Sequence, residues 1–129
     1  MKIEHTAFQV PDPVALAAWY VNHLGLTVKR AQSEAPFGHF LADDGDAVML
    51  EFYNNPRLPV PDYRAMDPLL LHIALRADDV AGTRARLMAA GATPVGDVQH
   101  TDAGDTVAML RDPWGLAVQL VHRRDAMIG

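Results

Sequence analysis

Residues 3–25 read IEHTAFQVPDPVALAAWYVNHLG, and this stretch holds a strand, a helix start and a helix stop in sequence. Ile3, His5, Ala7 and Gln9 alternate with Phe8 and Val10, which is the two-residue period of a strand with one apolar face. Asp12-Pro13 then supplies a side-chain N-cap followed by proline at the first helical position. Leu16, Trp19, Tyr20 and Leu24 recur at helical spacing, and Gly25 ends the helix where a positive φ is needed. Three short strands are predicted to follow, near 26–31, 36–42 and 47–53. Asp43-Asp44-Gly45-Asp46 forms the turn between the last two.

The same order of events begins again at residue 69. Leu69–Arg76 reads as a strand, Asp78 or Asp79 caps a helix carrying Val80, Leu87 and Met88, and Gly91 closes it. Strands are predicted near 93–98, 105–111 and 116–122, with Asp112-Pro113-Trp114-Gly115 as the turn. Gly25 and Gly91 are 66 positions apart, and Asp43 and Asp112 are 69 apart, so the chain is a doubled unit. The predicted organisation is a single α+β domain over 1–129. It comprises a βαβββ unit at 1–53, a crossover at 54–68, a second unit at 69–122 and a tail at 123–129. The crossover holds Pro56, Pro59, Pro61 and Pro68, which resist both helix and central strand. It serves as a plain linker or closes over a ligand, and Arg57 and Tyr63 are its candidates to close over a ligand or to meet a second subunit.

The totals exclude several classes. The 129 residues are 50% hydrophobic and 21% charged, which is globular composition. No apolar run reaches the roughly 20 residues of a membrane span, and Glu4 and His5 interrupt any leader-like start, so no membrane or targeting role is expected. There are no cysteines, which rules out disulfides and thiolate ligands and fits a cytoplasmic setting. The net charge is −5 with 11 Lys and Arg in all, and no aromatic residues are interleaved with the basic ones. Nucleic acid is therefore not an expected partner.

Each unit opens and closes with a strand that carries one polar residue in its middle: His5, Glu51, His72 and Gln119. Val48, Leu50 and Phe52 point away from Glu51. Leu69, Leu71, Ile73 and Leu75 point away from His72, and Leu116, Val118 and Leu120 point away from Gln119. The apolar sides pack on helices, so the polar residues belong to the opposite surface of the sheet. A mid-strand carboxylate is costly to desolvate without a compensating charge. Two imidazoles, a carboxylate and an amide oxygen suit one divalent cation of borderline softness: zinc, nickel, cobalt, manganese or ferrous iron. Taken singly, each residue also has a plain reading as hydrogen-bonded or solvated surface. Their equivalent placement in a doubled unit is what favours a site. His39 and His100 are further candidates to line it, whereas His23, His122 and Trp114 read as structural.

IEHTAFQV, HLGL, VMLEFY, LLLHIAL and DPWGLAVQLV together resemble the successive markers of the vicinal oxygen chelate superfamily. That group includes glyoxalase I, extradiol dioxygenases, methylmalonyl-CoA epimerase, fosfomycin-resistance enzymes and bleomycin-binding proteins. The resemblance covers essentially the whole chain. It implies paired βαβββ units forming a curved, cup-shaped mixed sheet, a homodimer, and metal ligands at His5, Glu51, His72 and Gln119. It also implies a small-molecule substrate or ligand with two neighbouring oxygens. The leading functional expectation is a metal-dependent glyoxalase-like lyase or isomerase with Glu51 as proton shuttle. A bleomycin-resistance-like binding protein is the rival, and a ring-cleaving dioxygenase is third. Two residues depart from the pattern. Gln119 stands where these enzymes have Glu, leaving Glu51 the only carboxylate of the set. Gln9 stands where glyoxalase I carries an Arg that holds glutathione.

Overall fold

The computed structural model describes residues 1–129. It divides into two compact units, Met1–Pro61 and Asp62–Gly129. The first contains β1 (His5–Gln9), α1 (Pro13–Leu24), β2 (Thr27–Ala31), β3 (His39–Ala42) and β4 (Met49–Tyr53). The second opens with a single 3₁₀ turn at Tyr63–Ala65. It continues with β5 (Ile73–Arg76), α2 (Val80–Ala89), β6 (Thr93–His100), β7 (Thr106–Arg111) and β8 (Ala117–His122). Each unit forms one four-stranded mixed sheet, ordered β1-β4-β3-β2 and β5-β8-β7-β6. The opening strand runs parallel to the closing strand in both. The βαβββ repeat expected from the sequence is therefore present twice.

Helix α1 starts where its cap dictates. The Asp12 side chain accepts from Ala15 N at 3.0 Å, and Gly25 takes φ 73° at the other end. Its buried side chains Leu16, Trp19 and Tyr20 share a core with Phe8, Leu41 and Phe52. The Tyr20 and Phe52 rings lie 4.9 Å apart at 62°, an edge-on geometry that aromatic quadrupoles favour. In the second unit Asp79 caps α2 through Gly82 N at 2.9 Å. Val80 and Leu87 share the core with Ile73, Ala108, Leu110, Val118 and Leu120. The turn between β7 and β8 is held by Asp112, which is 1% exposed and accepts from Trp114 N and Leu116 N.

Three expectations are corrected. Leu69–Leu71 form a turn, not the start of β5. Asp67 accepts from Leu69 N through its side chain and from Leu70 N through its carbonyl, and Leu69 and Leu70 are each 78% exposed. Asp-Pro turn chemistry thus prevails over the apolar run. Strand β3 begins at His39 and not at Pro36, because Phe37 adopts φ 55° and its N–H closes a turn onto Glu34 O. Strand β4 begins at Met49, two residues later than the alternation implied.

Candidate metal and ligand site

In the first unit the strand register sets the face on which each side chain stands. Ala7, Glu51, Phe40 and Arg30 are successive Cα partners across β1, β4, β3 and β2. Directly paired residues share a face, so this row lies on the side away from α1. His5, two positions before Ala7, belongs to the same face. The structure brings two expected ligands of this unit together: His5 Nε2 lies 3.4 Å from Glu51 Oε2. The Phe40 ring stands edge-on to the His5 imidazole, with centroids 5.4 Å apart.

His5 Nδ1 is engaged by the Glu4 carboxylate. That hydrogen bond, opposed by desolvation and aided by the charges of Glu4 and Glu51, raises the His5 pKa above the ordinary imidazole value. A carboxylate only accepts, so Nδ1 carries a proton toward Glu4, and Nε2 is the ring nitrogen that faces Glu51.

In the second unit Gln119 pairs in register with Ala74 on β5 and Met109 on β7. His72 directly precedes β5, outside the strand that was expected to hold it, while Gln119 stands on β8 on the face opposite Val118 and Leu120. His72 Nδ1 lies 2.8 Å from the Pro68 carbonyl, which again accepts only, leaving Nε2 as the lone-pair nitrogen. The first unit thus provides an imidazole and a carboxylate on a common face, and the second carries His72 just before β5 and Gln119 on β8. Both imidazoles are oriented through Nδ1 as metal-ligating histidines commonly are. Within either unit no three His, Asp or Glu side chains converge. The donor types suit a borderline divalent cation, with Glu51 as the only carboxylate among them.

Other candidates are reassigned. His39 pairs with Phe52 on the α1 side of the sheet, is 9% exposed and bonds through Nδ1 to Phe37 O, so it does not line the open face. His100 ends β6 and meets Thr106 Oγ1 at 3.1 Å. Tyr63 is buried, and its carbonyl accepts from Arg111, so its ring is core and not a closing element. Arg111 also donates to the carbonyls of Gly115 and Met66. One guanidinium therefore staples the start of the second unit to β7, a role that nothing in local sequence signals. Gln9, 7% exposed, is committed to the chain after β4: Nε2 donates to Asn55 O and Leu58 O, and Oε1 accepts from Asn55 N. Arg30 and Gln32 carry no signal in the sequence, because the pairing slips between Val28 and Arg30 and breaks simple alternation on β2.

A model of the Glyoxalase/Bleomycin resistance protein/Dioxygenase superfamily matches residues 2–120. A lactoylglutathione lyase of Salmonella typhimurium is 29% identical, covering 98% of this chain and 96% of that protein. Among solved structures, SMU.1112c superposes with a TM-score of 0.74 and 28% identity, covering 95% of this chain and 98% of that one. TnmS3, an antibiotic binding protein from Streptomyces sp. CB03234, superposes with a TM-score of 0.71 at 23% identity, covering 93% of each chain.

Proposed function

Because the chain belongs to the Glyoxalase/Bleomycin resistance protein/Dioxygenase superfamily, we propose that it is a metal-dependent, glyoxalase-like lyase or isomerase acting on a small oxygen-rich molecule. His5, Glu51, His72 and Gln119 are the proposed ligands of one divalent ion. The observation that carries this reading is the matched state of the two imidazoles: each is held through Nδ1 by an acceptor, with Nε2 left to ligate. When bound, the ion would supply Lewis acidity toward two neighbouring substrate oxygens.

The chain's own groups do the rest. Glu51 is the only carboxylate of the set and keeps 20% of its side chain exposed, so it can take a proton from a substrate carbon and return it. His5 Nε2 lies 3.4 Å from that carboxylate, which supports the two groups serving one ion. Gln119 offers an amide oxygen, which ligates without removing positive charge and cannot act as a base near neutral pH. Phe40 walls one side of the His5–Glu51 pair with apolar surface.

A second reading, a binding protein that sequesters its ligand without turnover, is favoured by one observation: only one of the four groups is a carboxylate. Metal content separates the two. Protein purified without chelator is expected to carry one divalent ion per chain by elemental analysis, and Glu51→Ala to lose most of it with an unchanged circular dichroism spectrum. Metal-free wild-type protein, or full occupancy in Glu51→Ala, would overturn the enzyme reading.

A further inference from the structure

The face of the first sheet away from α1 carries two polar side chains that the metal reading does not use, Arg30 and Gln32. Lys29 and Arg30 are adjacent cations on β2, yet they meet different fates. Lys29 Nζ is paired with Asp46 Oδ1 at 2.6 Å. Arg30 has no carboxylate or other polar partner, and every residue of β2 is exposed. The register shift between Val28 and Arg30 places Lys29 as the extra residue, and such bulges re-aim the side chains that follow them. Arg30 is thereby set opposite Phe40, on the face that holds His5 and Glu51.

Gln32 continues this face. Its backbone N–H bonds to Gly38 O and its Oε1 accepts from Gly38 N at 3.1 Å, which leaves both amide hydrogens of Nε2 uncommitted. A Cβ on Gly38 would sit 2.9 Å from Gln32 Oε1 and 3.6 Å from Glu51 Oε1, so the missing side chain is what lets these two groups flank one spot. Across the sheet the order is an imidazole–carboxylate pair, a phenyl ring, and an unpaired guanidinium with an amide donor beside it. At a strand spacing of about 4.8 Å, Glu51 and Arg30 are about 10 Å apart at their backbones. Arginine's reach shortens that gap to the length of one substituted ring or short chain.

Resting on the proposed function, we infer that Arg30, with Gln32, is the specificity-determining subsite for an anionic group on the ligand. The substrate class is a small planar acid whose body lies over Phe40. Its carboxylate meets the Arg30 guanidinium, and its vicinal oxygens lie at the His5–Glu51 end. A guanidinium fork matches a carboxylate in two parallel hydrogen bonds, and nothing in the chain competes for this one.

The test is calorimetric titration of the full-length protein with 3,4-dihydroxybenzoate and with its neutral amide, in zinc and in chelator. The acid is expected to bind about fivefold more tightly than the amide, the scale of one screened charge pair near a surface. Arg30→Gln should abolish the preference without changing metal content, and Lys29→Gln should leave it intact. A preference that survives Arg30→Gln, equal affinities in wild type, or no binding of either compound below about 1 mM overturns the subsite. Failure of the metal reading is distinguishable. It would appear as absent metal with the acid preference still present in chelator.

Discussion

Gln9 and Asn55 are joined by two hydrogen bonds of opposite sense, each 2.8 Å long: the Gln9 amide donates to the Asn55 carbonyl and accepts from its N–H. With the third bond to Leu58 O, one buried side chain closes the chain segment after β4 onto β1. Gln9→Ala leaves these backbone groups to find water and should cost about 1–3 kcal/mol of unfolding free energy. Urea titration of both proteins would show it as a lowered midpoint at unchanged slope.

The same commitment of Gln9 bears on glutathione. A neutral amide already satisfied by the backbone cannot replace a guanidinium in pairing with a peptide carboxylate. The methylglyoxal–glutathione adduct is therefore expected to turn over below about 10 per second, the rate typical of an enzyme on its own substrate. Stopped assays with metal-supplemented protein check this, and faster turnover refutes it.

Gln119→Glu adds a second carboxylate to the proposed ligand set. Its charge should tighten divalent metal binding and raise the pKa of any water on the ion, so native activity should fall or its pH profile should move. If Gln119 ligates nothing, the new carboxylate should lower the melting temperature equally in chelator and in zinc, because no cation compensates its desolvation. Competition titration and paired melts read both outcomes.

Asp105 accepts from Arg123 Nη1 at 2.6 Å and from Arg124 N at 3.0 Å, and the Arg123 hydrogen bond leads the causes that hold its pKa below the usual aspartate value. A carboxyl depressed on folding contributes stability above its unfolded pKa, and that contribution disappears as pH falls through the lower folded value. Arg123→Ala should thus bring wild type and variant closer in stability as the pH drops through and below the ordinary aspartate range. Thermal melts from pH 6 down to about pH 2.5 should show the two curves converge. A constant gap would assign Arg123 a role independent of Asp105.

The doubled βαβββ order could be read from local chemistry, because caps, terminal glycines and strand alternation act over a few residues. Asp12, Asp79 and Gly25 perform in space what their positions imply, and His5 and Glu51 meet because the alternation of β1 and β4 puts them on one face. Leu69–Leu71 show where local pattern misleads: three leucines looked like strand, but the Asp67 side chain offered the backbone a turn. Only the tertiary structure decided the fates of His39, Gln9, Arg111 and Arg30. Each depends on partners many positions away or on a one-residue register shift, and a single slip in pairing moves every later side chain to the other face.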